Sequence, residues 1–362
     1  MNVERVEIAP FELPLRQSLV TASTTHRERR GWIVRITDSA GVVGHGEATP
    51  LPSQGTESLE VCERALNESG ATLRKSRFDS LEDIDEWLGI HFGAKKHVPA
   101  ARHGVELALL DLLARSRRQN LSELLGGSKR EAIDLHALLG GSTPGELAAE
   151  AAALRVEGFR CFKLKIGSAP LDEDLYRIAS VRSAIGDCEL RLDANGAWSV
   201  SEAKRALQRL AQFRPSFCEQ PVKTRGELIE LSRDVAVPLA ADECLALEDS
   251  TPLLSSGVAI WVLKPMALGG LLPSHRVAMA AIAQGKRVVI TTCIDSVLAR
   301  IAAAHLASAL PEVLACGLAT ARLLARDLAE DPSRLEDGRM KLCDSIGIGV
   351  VPNLSEASWR VV

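Results

Sequence analysis

The chain has 362 residues, of which 46% are hydrophobic, 25% charged and 4% aromatic, with a formal net charge of −4. That length exceeds one average domain and suits a barrel of roughly 250 residues with a smaller companion. A slightly acidic, aromatic-poor chain has no field for nucleic acid or an anionic membrane and no stacking platform for single strands, and no run of about 18 apolar residues is present to span a bilayer.

The N-terminal MNVERVEIAPFELPL begins with charges and lacks a continuous apolar run, so no signal peptide is expected. Eight cysteines, at 62, 161, 188, 218, 244, 293, 316 and 343, form no CxxC pair and lie mainly in apolar context, the pattern of reduced core thiols. A cytoplasmic location is the expectation. Strand-like alternation covers residues 6–15, 31–37 and 42–48, and a Pro/Gly/Ser loop follows at 49–55. Helical patterns cover 56–67, 80–88 and 100–115. Residues 1–125 therefore read as an α+β unit without βα alternation.

From about residue 133 short apolar runs alternate with amphipathic helical stretches. The runs are 133–138, 161–165, 189–193, 217–219, 239–242, 259–264, 288–292 and 314–317. Eight such units over 126–330 predict an α/β fold of (β/α)8 type, a TIM barrel. The alternative, an open doubly wound sheet, normally carries a GxGxxG phosphate turn, and none is present. Gly140-Gly141 and Gly269-Gly270 read as loop glycines after strands. The glycine-rich segment 331–362 reads as a loop-like tail that packs back on the N-terminal unit and completes it.

Ionisable groups end five consecutive runs: Lys163 and Lys165 in FKLKIG, Asp193 in RLDANG, Glu219 in FCEQP, Asp242 and Glu243 in LAADE, and Lys264 in VLKP. In a parallel barrel those ends share one mouth, where active sites are built. A lone charge there is ordinary solvent contact. Here the charges sort by type, lysines on the second and sixth runs and carboxylates on the third to fifth. Three adjacent carboxylates, Asp193, Glu219 and Asp242, call for a hard divalent cation with oxygen ligands, Mg²⁺ or Mn²⁺; the absence of His and Cys from the set argues against zinc. Lys163 and Lys165 point to one side of their strand. Two readings of the base stay open: mutual repulsion lowers the pKa of at least one lysine, or Glu243 neutralises Lys163 and leaves Lys165 tuned. Either way the chemistry predicted is abstraction of a proton α to a carboxylate. His103 and His305 read as packed, and His136, at the first run, faces the same mouth. Glu106 and Asp111 read as ties between their helix and the barrel rather than as metal ligands.

The set KLK, DAN, EQP, DE and KP resembles the enolase superfamily, in its muconate-lactonizing-enzyme subgroup, over nearly the whole chain. The resemblance implies Asp193, Glu219 and Asp242 as Mg²⁺ ligands, Lys165 and Lys264 as opposed catalytic lysines beside Lys163, and Asn195 and Glu243 behind them. Within the subgroup GHGEATPLPSQGTES, CEQPVKTRGEL, ITTCIDSVLARIAAAHLA and CGLATARLLARDL are similar to the o-succinylbenzoate synthase family of menaquinone biosynthesis. That likeness implies a metal-dependent lyase, removing water from a succinyl-hydroxycyclohexadiene carboxylate through an enediolate. Leu51, Pro52, Thr292 and Ser296 are then expected to line the substrate. His45 stands where many relatives carry an aromatic residue. The alternatives are an N-acylamino acid racemase, a dipeptide epimerase or a cycloisomerase with the same site. The DxD motif that receives a peptide amine at the eighth strand is not evident. The implied partner is a small carboxylate substrate, and a catalytically silent barrel would have lost a ligand or a lysine.

Overall fold

The N-terminal alternation forms antiparallel strands β1 (Val3–Val20), β2 (Thr25–Asp38) and β3 (Val43–Ala48) in a computed structural model that describes residues 1–20, 25–93, 97–127, 130 and 132–362. Helices Leu59–Leu73, Leu81–Phe92 and Pro99–Arg117 follow. The last of these lies against β3, and glycine makes the approach possible. A Cβ on Gly46 would stand 2.0 Å from the Gly104 carbonyl oxygen, and one on Gly44 would stand 2.2 Å from that of Ala108. Two buried carboxylates on this helix tie parts together, Glu106 to the barrel as expected and Asp111 instead to β3 and the C-terminal tail. Glu106 accepts the Leu272 N–H from the barrel, and Asp111 accepts the N–H groups of His45 and Ile348.

A short strand β4 (Ile133–Asp134) precedes the barrel strands, which are β5 (His136–Leu139), β6 (Cys161–Lys165), β7 (Glu189–Asp193), β8 (Phe217–Glu219), β9 (Leu239–Ala241), β10 (Ile260–Leu263) and β11 (Arg287–Ile290). β5 to β11 pair in sequence order as one parallel sheet. Hydroxyl-led capping boxes start three of the intervening helices, at Thr143 with Glu146, Ser199 with Glu202, and Thr224 with Glu227. Each ends its strand-to-helix loop on the same face. The expected eighth strand forms no continuous ladder. Residues 314–317 divide their hydrogen bonds between two neighbours, bridging Leu135 to Cys316 and Thr291 to Gly317, and so close the ring through single parallel bridges.

The tail is more than a loop. β12 (Arg334–Glu336) and β13 (Arg339–Lys341) form a hairpin on β4, and β14 (Arg360–Val361) joins the N-terminal sheet beside β1. All eight cysteines are free, six of them buried, as their apolar context predicts. No helix among the described residues is long and apolar enough to cross a membrane.

Candidate active site

Register places Lys165, Asp193 and Glu219 in one row across β6, β7 and β8. Asp242 directly follows β9 and Lys264 directly follows β10, so five strands deliver their charges to one mouth. The turns after these strands are tight. Asn195, Gln220 and Ile294 all have positive φ, at 44°, 38° and 59°. Left-handed backbone is costly for a β-branched residue such as Ile294 and gathers at functional sites. The Gln220 side chain braces its neighbours, accepting the Asp242 N–H at 3.0 Å and donating to the Val222 carbonyl at 2.8 Å.

Lys163 Nζ donates to both carboxylate oxygens of Glu219, at 2.7 and 2.8 Å, and lies 2.9 Å from Asp193 Oδ2. Lys264 Nζ donates to Asp242 Oδ2 at 2.5 Å and to Gln54 Oε1, from the N-terminal unit, at 2.6 Å. Half-buried Lys165 makes no hydrogen bond or ion pair among the described residues. Burial alone would strip Lys163 of its proton, but Asp193 and Glu219 outweigh it and raise its pKa. Lys264 is raised in the same way, burial being overcome by Asp242 and Glu243. Burial pushes the Glu219 carboxyl well up, with Asp193 and Asp242 adding to it against Lys163. At Asp193 burial is overcome by Lys163 and Lys165, and the pKa falls. Repulsion between the two β6 lysines thus does not lower Lys163, and Glu243 is not its partner. Glu243 accepts from Asn195 Nδ2 at 2.9 Å and is pushed up to about 7 by burial and by Asp242.

A cavity of about 110 Å³ opens over this row. Lys163, Lys165, Asp193, Asn195 and Lys264 form one side; Glu219 and Asp242 lie behind the lysines they bind. Leu51 and Thr292 line it. Pro52 is exposed and turned away. Ser296 is fully buried because its N–H and hydroxyl are taken by Glu47 at 2.9 and 2.5 Å, which leaves it part of the junction between the two units. Gln54 and Ile294 line the cavity although their sequence gives little warning: Gln54 sits in a polar loop, and the backbone strain of Ile294 has no residue-type signature.

Among the described residues no three His, Cys, Asp or Glu side chains stand together as a finished metal cage. The donor set nevertheless suits a hard cation. Asp193, Glu219 and Asp242 bring only carboxylate oxygen, and Glu243 Oε2 is buried without a partner among the described residues.

The family model for the enolase C-terminal domain-like fold matches residues 146–357, and that for the mandelate racemase / muconate lactonizing enzyme N-terminal domain matches residues 4–126. Muconate cycloisomerase 1 of Rhodococcus opacus is 30% identical over 98% of this chain and 97% of its own length. The dipeptide epimerase of Enterococcus faecalis V583, solved with Mg and the dipeptide L-Leu-L-Tyr, superposes with a TM-score of 0.89 at 26% identity, covering 96% of this chain and 99% of that one. The muconate lactonizing enzyme of Pseudomonas fluorescens, solved with muconolactone, superposes with a TM-score of 0.88 at 26% identity over 98% and 97% of the two chains.

Proposed function

We propose that this chain, which belongs to the mandelate racemase / muconate lactonizing enzyme branch of the enolase superfamily, removes the proton next to a carboxylate in a small organic acid. The observation that carries the reading is the inequality of its lysines around one cavity: Lys165 is untied, whereas Lys264 is held by Asp242 and Gln54. Lys165 takes the proton from the α-carbon onto Nζ. Lys264 stays a fixed cation facing the negative charge that spreads over the enediolate. Lys163 orients Glu219 and Asp193. Asp193, Glu219 and Asp242 would hold Mg²⁺, which when bound supplies positive charge to the substrate carboxylate.

The inequality supports one-base chemistry. In a dehydration the α C–H and the neighbouring C–OH bonds break and a C=C bond forms between the two carbons; Lys165 takes the proton and returns it to the departing hydroxide, which leaves as water. Formation of o-succinylbenzoate from its succinyl-hydroxycyclohexadiene precursor is the specific lyase reaction we propose, on the sequence likeness around Glu219 and after the seventh and eighth strand positions. A second reading is favoured by the names of the relatives, which are cycloisomerases and epimerases. Purified protein is assayed with the cyclohexadiene carboxylate, with cis,cis-muconate and with N-succinylamino acids in D₂O, each with Mg²⁺ and then with chelator. Metal-dependent loss of diene absorbance supports the dehydratase; muconate turnover, or α-deuterium exchange alone, moves the function to the second reading. Lys165→Ala is expected to abolish whichever activity is found while Mg²⁺ binding persists. Near-native turnover by that variant would remove Lys165 from the role of base.

A further inference from the structure

His136 opens β5 and reaches the same cavity from its floor. It pairs in register with Cys161, four positions before Lys165 on β6, so its backbone lies about 13 Å below that of Lys165 along the strand direction. Its Nδ1 lies 3.2 Å from Arg191 Nη1. Arg191 is fully buried, with Nε bound to Glu189 at 2.8 Å, Nη1 to the Ala315 carbonyl at 2.6 Å, and its guanidinium 4.9 Å over the Phe217 ring. A guanidinium donates and cannot accept. Nδ1 must therefore accept, which leaves the proton on Nε2. Burial, then Arg191 and Lys163, lower the ring's pKa well below its ordinary value, against the Ala315 carbonyl, which works the other way. Nε2 finds no acceptor among the described residues and is not sealed away as a buried orphan atom: it opens on the cavity.

The wall around it has the same polarity. Thr292 and Thr320 bond each other through their hydroxyls at 3.1 Å, Thr291 donates to the Gly317 carbonyl, Leu138 is apolar, Arg322 adds a cation to the lining, and Gly317 leaves the ring its space, since a Cβ there would stand 3.0 Å from His136 Cε1. Asp193 is the single carboxylate among the described lining residues, and it belongs to the lysine side. A cation placed at the floor would have no counter-charge, whereas an oxygen acceptor would meet an N–H.

We propose that His136 is a substrate-binding residue whose Nε2–H receives an oxygen at the end of the substrate remote from Lys165. The substrate then carries a carbonyl or a second carboxylate at that end, and no ammonium. This rests on the proton-abstraction reading above, and two measurements separate the fates of the two. Kinetics are compared for the native protein, His136→Leu and His136→Gln on whichever of the three probes the native protein turns over. His136→Leu is expected to raise KM about tenfold with kcat nearly unchanged. His136→Gln, which returns an N–H to the same place, is expected to recover most of that loss. A native KM in folded His136→Leu overturns the inference, as does a glutamine variant no better than the leucine one. Independently of turnover, the ¹⁵N shifts of the His136 ring are read at neutral pH with and without muconate and N-succinylglycine. The expected result is a protonated Nε2, a bare Nδ1 and an Nε2 signal that moves on addition of either acid. A protonated Nδ1, or a signal that neither acid moves, overturns the inference even in an active protein. A moving signal with no turnover of any probe sinks the catalytic reading and leaves His136 as a binding residue.

Discussion

Replacing Lys163 by methionine keeps the volume and removes the ammonium that lies between Glu219 and Asp193. Three buried carboxylates would then face Lys264 and the untied Lys165. The least costly remedy is for Glu219, already pushed well up by burial, to take a proton. At pH 7 that costs about 1.4 kcal/mol for each of the roughly 2.7 pH units above an ordinary glutamate, or about 4 kcal/mol. The figure agrees with the ~3–5 kcal/mol seen when one partner of a buried pair is removed. It is a ceiling, because the variant no longer buries an ammonium. The sign follows from the raised carboxyl: a folded state that binds the extra proton is least penalised below about pH 4 and loses ground as pH rises. In urea unfolding with chelator, Lys163→Met should approach native stability near about pH 4 and fall short by about 2–4 kcal/mol at pH 7. Saturating Mg²⁺ should recover much of the deficit, since a divalent cation can replace the ammonium between the carboxylates. A variant as stable as the native protein at pH 7 without metal, or a deficit that does not change with pH, would refute the reasoning.

Two further changes test how the N-terminal unit contributes. Gln54→Leu removes one of the two acceptors that hold Lys264, so kcat should fall about tenfold while thermal melting stays native; an unchanged kcat would show that Asp242 alone fixes the lysine. Glu47 is fully buried and accepts the N–H groups of Ser296 and Ala299 and the hydroxyls of Ser296 and Thr49. Glu47→Ala strands those donors and should cost more than about 3 kcal/mol in urea unfolding, with Glu47→Gln recovering part of it.

The strand ends were legible because five consecutive barrel runs stop at an ionisable residue of a definite type, and register alone then brings Lys165, Asp193 and Glu219 into one row. The pairing within that row was not legible. Spacing cannot tell that Lys163 turns to Glu219 and Asp193 while Glu243 turns to Asn195, because those choices depend on side-chain reach and burial after the strands have closed. The same limit applies at the loops. Pro52 and Ser296 sit beside true lining residues in sequence, yet a 3₁₀ turn at Pro52–Gln54 turns the first outward and Glu47 draws the second inward. The eighth strand position was read as a strand from four apolar residues, but so short a run, shared between β5 and β11, completes the ring without forming a ladder of its own.

The distribution of charge supports the proposal that Lys165 is the lysine left for chemistry. Lys163 and Lys264 each spend their hydrogen bonds on the carboxylates that would otherwise repel one another, and both are pulled toward the protonated state by them. A lysine so bound is a poor base, because releasing its proton also breaks the ion pair that holds it. Lys165 shares the row with Asp193 and Glu219 but makes no such bond, and it lies where the cavity opens. The second tie on Lys264 comes from Gln54, 210 residues away in the N-terminal unit, so the asymmetry between the two lysines depends on both units being in place. The barrel supplies the groups; the loop at Leu51–Gly55 helps decide which of them is free to move a proton.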